Sequence, residues 1–281
     1  MRLAILMTCH NRKESTIVCL ESLFNNELPV NFNIDVFLVD DGSTDGTTAA
    51  VNTAFPNVIV IKSSGDLFWN RGMRLAWKTA SAKEDFDFYL WLNDDLELKN
   101  DSFEIIFNDY NKLNNDKSIL SGVCASKDNL ITYGGYSLGS KQRILPNGNI
   151  QECDFFNGNF VLVPRSVFSE IGMLDKIFHH AKGDFDYGLR AKQNGIKSYI
   201  TSNIIGYCER HEDLPVWCNR NVSLSKRINA FYSPLGIDPY RTFIFKKRHY
   251  GFLISVYHLI IIHVRLFLPS IWVWLKKDTY L

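Results

Sequence analysis

The chain has 281 residues, of which 46% are hydrophobic and 22% are charged. These proportions exclude a disordered or fibrous protein and allow one large domain with a sizeable core, or one domain plus an appendage. The net charge of +1 is uneven, because residues 240–281 hold seven Lys or Arg against one acid, Asp278. That region carries +6 and the rest −5, which suggests an anionic partner such as a membrane or nucleic acid.

The six cysteines are scattered and form no CxxC pair. This spacing favours reduced thiols in a cytosolic protein over a disulfide framework or a zinc site. The apolar run at 3–7 is too short for a secretory signal and is followed at once by polar and basic residues. We therefore expect a chain that is not exported.

Apolar, strand-like runs alternate with amphipathic, helix-like stretches in the first part of the chain. Strands are predicted at 3–9, 36–40, 58–62 and 88–92, and helices near Glu14, after Thr44, near 70–83 and from Ser102. This alternation indicates βαβ units and an α/β fold with a mainly parallel central sheet flanked by helices. Further on, we expect loops with short strands at 126–157, a strand and short helix at 159–172, and a helix at 183–195.

A hydrophobic stretch at 251–275 lies within the basic C-terminal region. Arg265 is its one formal charge, but Pro269 and two His also interrupt it. A membrane-spanning helix needs about 20 mostly apolar residues, so this stretch is a borderline candidate. Basic clusters flank it, and Trp272 and Trp274 resemble interfacial anchors. We expect a helix lying in the membrane plane, with a spanning helix or a buried core or dimer helix as alternatives.

Two predicted strands end in a pair of acids, Asp40-Asp41 in VDDGSTDGT and Asp94-Asp95 in LNDDLEL. The carboxyl ends of strands are where open α/β sheets bind ligands. The first pair suits hydrogen bonds to a nucleoside, but an Asx turn before a helix explains it equally well. The second pair, beside Asn93, offers hard oxygen ligands for Mg²⁺ or Mn²⁺ on a nucleotide diphosphate, with a capped turn as the alternative.

Two common nucleotide-binding patterns are missing. The first strand ends MTCHNRKE without a glycine, which counts against an NAD or FAD fold, and no Walker loop occurs anywhere. The motif GDFDYGLR places Asp184 and Asp186 in the first turn of a predicted helix. An acid there stays ionised and could take a proton from a hydroxyl group. Taken alone, the motif favours a simpler reading, charge complementarity with an Asp186–Arg190 pair.

Six motifs in order resemble those of a family 2 glycosyltransferase of the GT-A fold, the group that makes bacterial polysaccharides. They are TCHNRKE (8–14), VDDGSTDGT (39–47), GDLFWNRGMRLA (65–76), LNDDLEL (92–98), GNFVLVPRSVFSEIG (158–172) and GDFDYGLRAKQNG (183–195). The resemblance implies an inverting hexosyl- or rhamnosyltransferase that uses a UDP- or dTDP-sugar donor and Mg²⁺ or Mn²⁺. We expect a GT-A domain at 1–205, a connecting segment at 206–240, and a basic, hydrophobic helical tail at 241–281.

The resemblance also implies roles for single residues. Asp184 matches the catalytic base, although Gly183 stands where the pattern has an acid, and Asp95 matches the metal ligand. Asp41 matches the acid that reads the base, and Asn93 stands where the pattern often has Asp. The implied nucleotide-sugar contacts are Thr8, Asn11, Asp40, Asp41, Asn70, Arg71, Asn93 and Asp94. The implied support on the acceptor side comes from Gly158, Asn159, Asp186 and Arg190. His211 is a further candidate metal ligand, although Cys208 occupies the usual place of that histidine.

The tail leads us to expect a saccharide acceptor linked to polyprenyl diphosphate, at the cytoplasmic face of a bacterial inner membrane, in O-antigen or capsule assembly. A homodimer through the tail is the other expectation. Nucleic acid is not expected, because the basic residues are interleaved with aliphatic runs. One rival is a nucleotidyltransferase, which would need a glycine in TCHNRKE. The other is a non-catalytic membrane-bound scaffold, which the intact acids Asp41, Asp94, Asp95 and Asp184 oppose.

Overall fold

The computed structural model describes residues 1–28, 31–140, 142–210 and 215–271. The chain divides into two compact units. The first comprises Met1–His179 and Gly183–Arg210, and the second comprises His180–Lys182 and His211–Leu281. The first unit contains the sheet and the motifs, and the second contains the helices of the basic C-terminal region.

The first unit begins with strands and helices in alternation. These are β1 (Arg2–Cys9), α1 (Lys13–Phe24), β2 (Asn33–Asp40), α2 (Thr47–Ala54), β3 (Ile59–Lys62), α3 (Phe68–Lys83) and β4 (Phe88–Leu92). The strands pair in parallel in the order β3-β2-β1-β4, with Cys9 opposite Asp40. This confirms the predicted βαβ units and puts the carboxyl ends of all four strands at one edge of the sheet.

The remaining elements of this unit make the sheet mixed. They are β5 (Glu97–Leu98), α4 (Ser102–Lys112), β6 (Ser118–Ala125), β7 (Ile131–Tyr133), β8 (Gly135–Tyr136), β9 (Gln151–Cys153), β10 (Phe155–Phe156), β11 (Phe160–Pro164), α5 (Arg165–Ile171), α6 (Gly183–Gln193) and β12 (Lys197–Tyr207). β11 runs antiparallel between β4 and β6, whereas β12 runs parallel to β6. The expected parallel order therefore holds from β1 to β4, and the second half of the sheet departs from it.

The direction of β11 follows from the segment that precedes it. Residues 126–140 and 142–157 form short strands and loops rather than a crossover helix that would return the chain to the opposite edge. β11 therefore starts at the edge where β6 ends and runs back antiparallel. As a result Phe160, its first residue, lies opposite Leu92, the last residue of β4.

The core lies on both faces of the sheet. Leu3, Ile5 and Met7 of β1 pack into one cluster with α1 and α4, while Ala4 and Leu6 pack into another with α3 and α6. All five residues of β4 are buried, which explains its continuous apolar run. Burial of these side chains is the main favourable term in the stability of the unit.

The second unit contains a 3₁₀ turn at Val216–Cys218, α7 (Leu224–Tyr232), α8 (Pro239–Tyr250) and α9 (Phe252–Phe267). Its small core joins Trp217 and Phe231 to Ile262 and Leu266 of α9. Within the described residues, no helix has the length and apolar character needed to cross a membrane. The candidate anchors Trp272 and Trp274 lie outside the described residues.

Candidate active site

Asp94 and Asp95 follow β4 at the carboxyl edge of the sheet, and an arginine from the loop after β1 lies on both. Arg12 Nη1 donates to Asp95 Oδ2 at 2.5 Å and to Asp94 Oδ1 at 3.3 Å. Asp94 is buried, whereas the Asp95 side chain is one-third exposed (33%). The sequence alone gave no role to Arg12. The available signal was a basic residue in the loop after the first strand, at the edge where the acids were expected.

The environment of Asp94 disfavours its charged form. Burial raises the pKa of Asp94 to about 7, with a further contribution from the charge of Asp95, while Arg12 acts in the opposite direction. Asp94 Oδ2 is buried and has no hydrogen-bond partner among the described residues. A buried carboxylate oxygen without a partner is costly, so this oxygen is suited to a proton or a cation.

These acids fit a divalent metal that arrives with phosphate. Their carboxylate oxygens are the hard ligands that Mg²⁺ and Mn²⁺ prefer. Among the described residues, no group of three or more His, Cys, Asp or Glu side chains is placed to hold a metal ion. Mg²⁺ commonly takes one or two protein carboxylates and completes its coordination with substrate phosphates and water. The pair Asp94 and Asp95 suits that kind of site.

Two further groups surround Asp95. Cys208, directly after β12, donates from Sγ to Asp95 Oδ1 at 3.5 Å, and Asn159 Nδ2 donates to the same sulfur at 3.7 Å. Cys208 therefore lies beside the candidate metal ligand. His211, the further ligand that the sequence suggested, lies outside the described residues.

Asp41 fixes the loop that begins α3. Its Oδ2 accepts from the backbone N–H groups of Leu67 and Phe68 at 3.0 and 2.8 Å, and its Oδ1 accepts from that of Gly65 at 3.1 Å. A carboxylate at a helix N-terminus is favoured by the unpaired N–H groups there. Asp41 is 3% exposed, and its carboxylate binds backbone N–H groups of the protein itself. Its implied contact with a nucleobase stays a prediction.

The other implied contacts near β1 and β2 also join loops. Asp40 Oδ1 accepts from Ser43 N at 2.8 Å, and its Oδ2 accepts from the Thr48 hydroxyl, so this carboxylate holds the turn between β2 and α2, and its implied contact with the nucleotide sugar stays a prediction. Asn11 Oδ1 accepts from Thr44 N at 2.7 Å, which connects the loops after β1 and β2. The helix predicted after Thr44 is α2, which begins at Thr47.

Thr8 packs against α3 at a position that requires glycine. A Cβ at Gly72 would lie 2.3 Å from Thr8 Oγ1, so the helix reaches the end of β1 closely only because residue 72 has no side chain. Asn93 is also engaged within the protein. Its Oδ1 accepts from Trp69 Nε1 at 2.7 Å, and its backbone N–H donates to Asn159 O at 2.9 Å. Both residues therefore shape the edge of the sheet.

Asn70 holds the segment that precedes α6. It is fully buried, and its Nδ2 donates to the carbonyls of Asp175 and Phe178, both at 2.8 Å. Arg71 Nε donates to the carbonyl of Lys176 at 3.0 Å, on the same segment. These two residues were expected beside the nucleotide. In the structure they hold the segment that leads to Asp184, and their expected contact with the nucleotide stays a prediction.

Asn70 also explains the glycine at position 183. A Cβ on Gly183 would lie 1.7 Å from Asn70 Oδ1, so any larger residue would displace the asparagine. The departure from the family pattern at this position is therefore a packing requirement.

Asp184 lies in the first turn of α6 and is joined to the acids of β4 by two adjacent residues. Its Oδ2 accepts from Gly158 N at 3.0 Å, and its Oδ1 accepts from Phe185 N at 2.8 Å. The next residue, Asn159, accepts the backbone N–H of Asn93. The Gly158–Asn159 step therefore connects the candidate base with the Asp94–Asp95 corner. A Cβ at Gly158 would lie 2.4 Å from Trp69, so glycine is required there.

Asp186 and Arg190 support α6 from within. Asp186 is fully buried, and its Oδ2 accepts from Arg190 Nε at 2.9 Å. Arg190 also donates to the carbonyls of Ile171 and Met173 at 2.8 and 2.9 Å. The Asp186–Arg190 pair that the sequence suggested is present. It fixes α6 against the carbonyls of Ile171 and Met173.

A family model described as glycosyl transferase family 2 matches residues 4–172. No curated protein sequence matches the chain significantly. The mannosyltransferase PcManGT from Pyrobaculum calidifontis, in complex with GDP-Man and Mn²⁺, matches with a TM-score of 0.57 at 14% identity, covering 96% of this chain and 75% of that one.

TarS from S. aureus, residues 1–349, matches with a TM-score of 0.54 at 13% identity, covering 91% of this chain and 71% of that one. Its complex with UDP gives 0.56 at 14% identity, with 90% and 71% covered. At these identities the likeness concerns the fold, which is the GT-A fold expected from the sequence.

The packing of Asn70 on α6 predicts the effect of Gly183→Ala. In a helix this change usually gains up to about 1 kcal/mol. Here the clash with Asn70 should reverse the sign and lower the free energy of unfolding by about 1–3 kcal/mol, measured by urea denaturation. The control is Gly139→Ala, whose Cβ would meet its nearest atom at 3.7 Å. Equal stability of Gly183→Ala and wild type would contradict the contact.

The raised pKa of Asp94 predicts a specific pH dependence of stability in metal-free buffer. The folded chain keeps this proton up to about pH 7, whereas the unfolded chain loses it near 3.8. The stabilisation is therefore complete below 3.8 and is lost as the pH rises through 7.

Asp94→Asn has no proton to lose at this position. We expect its free energy of unfolding to rise relative to wild type by on the order of 2–3 kcal/mol between about pH 5 and pH 8. Chemical denaturation at both pH values measures this difference. Asp128→Asn, at an exposed position, is the control and should show the same pH dependence of the free energy of unfolding as wild type. If Asp94→Asn showed that same dependence too, Asp94 would not carry the raised pKa.

Proposed function

The chain belongs to glycosyl transferase family 2, and from this premise we propose that it moves a hexose or rhamnose from a nucleotide-diphosphate sugar to a hydroxyl group of a saccharide acceptor. The observation that carries this proposal is the hydrogen-bonded connection between Asp184 and the Asp94–Asp95 corner through Gly158 and Asn159. It brings a candidate base and a candidate diphosphate site to one edge of the sheet. The fold neighbours were solved with GDP-Man and Mn²⁺ or with UDP, which supports this class of donor.

In this proposal Asp184 is the general base. The N–H groups of Gly158 and Phe185 hold its two oxygens, and the N-terminus of α6 favours its ionised form. Asp184 accepts the proton of the acceptor hydroxyl while that oxygen forms a bond to the anomeric carbon. The bond from the anomeric carbon to the diphosphate oxygen breaks, and the nucleoside diphosphate leaves. Attack opposite the leaving group inverts the configuration at that carbon.

The donor's diphosphate lies at the Asp94–Asp95 corner in this proposal. Asp95, which is one-third exposed (33%), would hold Mg²⁺ or Mn²⁺, with Asp94 behind it. The ion supplies positive charge that stabilises the departing diphosphate. Thr8, Asn11 and Asp41 lie at the carboxyl ends of the neighbouring strands and shape the nucleoside side of the same edge.

Asp184→Asn is expected to abolish transfer and to leave donor binding within about twofold of wild type, because the amide keeps the shape but cannot take the proton. Transfer should fall by about 10²–10⁴-fold. Product formation from a radiolabelled donor and calorimetric titration of the donor measure the two effects. Glu170→Gln, which removes a surface carboxylate on α5, is the control and should keep both. An unchanged transfer rate in Asp184→Asn would remove this residue from the base role.

We further propose that the acceptor is linked to polyprenyl diphosphate at the cytoplasmic face of a bacterial inner membrane, in O-antigen or capsule assembly, with α9 lying on the membrane. Side chains along one side of α9 are apolar and exposed, among them Leu253 at 82%, Tyr257 at 67% and Ile260 at 57%. Residues 239–271 include no acid, and Lys246, Lys247 and Arg248 precede α9. An apolar helix face beside basic residues suits an anionic lipid surface.

The exposed face of α9 yields a prediction in the full-length chain. Leu253→Asp combined with Ile260→Asp should weaken binding to phosphatidylglycerol-containing vesicles by about tenfold or more, because both apolar contacts with the lipid are lost. Vesicle sedimentation measures this. Leu130→Asp with Leu145→Asp removes two similarly exposed side chains from the first unit (68% and 61% exposed) and serves as the control. If the α9 variant sedimented like wild type and the control, α9 would not be the membrane contact.

A further inference from the structure

Arg12 contacts Asp95, the residue that would hold the proposed metal ion. Its Nη1 lies 2.5 Å from Asp95 Oδ2 and 3.3 Å from Asp94 Oδ1, so one guanidinium nitrogen contacts both acids. The Arg12 side chain is 42% exposed and the Asp95 side chain 33%. The contact is therefore open to solvent and to a ligand.

Hydrogen bonds on both sides of Arg12 hold its backbone in place. The N–H of Asn11 donates to Ser43 Oγ and that of Lys13 to Asp45 Oδ2, both at 2.9 Å. The carbonyl of Arg12 accepts from Thr16 N at 2.9 Å in the first turn of α1. Arg12 is thus held on both sides at the start of a helix. The fold therefore keeps the backbone of Arg12 within side-chain reach of both acids.

A metal ion on Asp95 Oδ2 would lie close to the Arg12 guanidinium, which donates to the same oxygen. Both are cations. Repulsion between them therefore lowers the affinity of Asp94 and Asp95 for the metal while Arg12 is in place, and for Arg12 while the metal is bound. A diphosphate changes this balance, because a guanidinium binds phosphate oxygens with paired hydrogen bonds and the added negative charge attracts both cations. With diphosphate present, Arg12 and the metal have separate anionic partners.

We propose that Arg12 holds Asp94 and Asp95 until a nucleotide diphosphate arrives, and that it then transfers to the diphosphate and leaves Asp95 to the metal. This inference rests on the proposed function, because it takes the donor and its metal to bind at this corner. Metal binding and donor binding are then coupled, and each raises the affinity of the protein for the other by the same factor.

The inference predicts effects of opposite sign in one variant. Arg12→Gln removes the charge and keeps most of the side-chain length. It should strengthen Mn²⁺ binding to the nucleotide-free protein by roughly tenfold, the order expected for one charge at a partly exposed site. It should weaken binding of the nucleotide diphosphate by a similar factor, because the diphosphate loses a cationic partner.

Full-length wild type and Arg12→Gln are titrated with Mn²⁺ alone, followed by electron paramagnetic resonance of free Mn²⁺. Both are then titrated by calorimetry with UDP, dTDP and GDP at saturating Mn²⁺. Lys13→Gln is the matched control. It removes the same charge one residue away, where Nζ pairs with Glu14 at 3.3 Å rather than with the acids of β4. Lys13→Gln should leave both affinities within about twofold of wild type. Circular dichroism confirms that each variant is folded.

The outcomes separate this inference from the proposed function. The transfer of Arg12 from the acids to the diphosphate, here called the exchange, is supported if Arg12→Gln binds Mn²⁺ more tightly and the nucleotide more weakly than wild type while Lys13→Gln does neither. If wild type binds a nucleotide with Mn²⁺ and Arg12→Gln binds Mn²⁺ no more tightly, the exchange is wrong and the proposed function stands. If wild type binds none of the three nucleotides with Mn²⁺, both fail.

Discussion

The pairing of the end of β4 with the start of β11 is the constraint on which the rest of the site depends. Phe160 lies opposite Leu92, so Gly158 and Asn159 are placed beside Asn93, Asp94 and Asp95. The acids of β4 and Asp184 on α6 are far apart in sequence and share no secondary-structure element. The antiparallel return of β11 brings them together: the Gly158 N–H donates to the Asp184 carboxylate, and the Asn159 carbonyl accepts from the Asn93 N–H. A parallel β11 would begin at the opposite edge and would leave Asp184 without this connection.

Many polar residues of the motifs stabilise loops. Asp41 holds the start of α3, Asn70 holds the segment before α6, and Arg190 ties α6 to the end of α5. Buried polar groups must find partners, so each of these residues specifies one arrangement of its loop. Asp94 differs from Asp41 and Arg190, because one of its carboxylate oxygens is buried without a partner among the described residues. The loops around the site are held by paired polar groups, while the Asp94 carboxylate, beside the proposed metal ligand Asp95, keeps an oxygen suited to a cation.

The strands and helices of the first unit were predictable because burial on both faces gives continuous apolar runs and because glycines and polar turns separate them. The direction of β11 was not, since it depends on whether a helix crosses between β6 and β11, and the composition of 126–157 does not decide this. The motifs gave the site residues, but a short motif does not reveal whether Asn70 or Asp41 faces a ligand or a neighbouring loop. Arg12 was missed because its partners are more than 80 residues away and a long side chain leaves no periodic signal.

Catalysis as proposed requires a nucleotide diphosphate and a divalent cation to bind together at Asp95. Thermal denaturation of the full-length chain with UDP-, dTDP- and GDP-sugars, each with and without Mn²⁺, tests this directly. A ligand that binds only the folded state adds about 2.7 kcal/mol at roughly a hundred times its Kd. At least one of these donors should raise the Tm by several degrees with Mn²⁺, far less without it, and not at all in Asp95→Asn. An unchanged Tm with every donor, or the same rise in Asp95→Asn, would contradict the account.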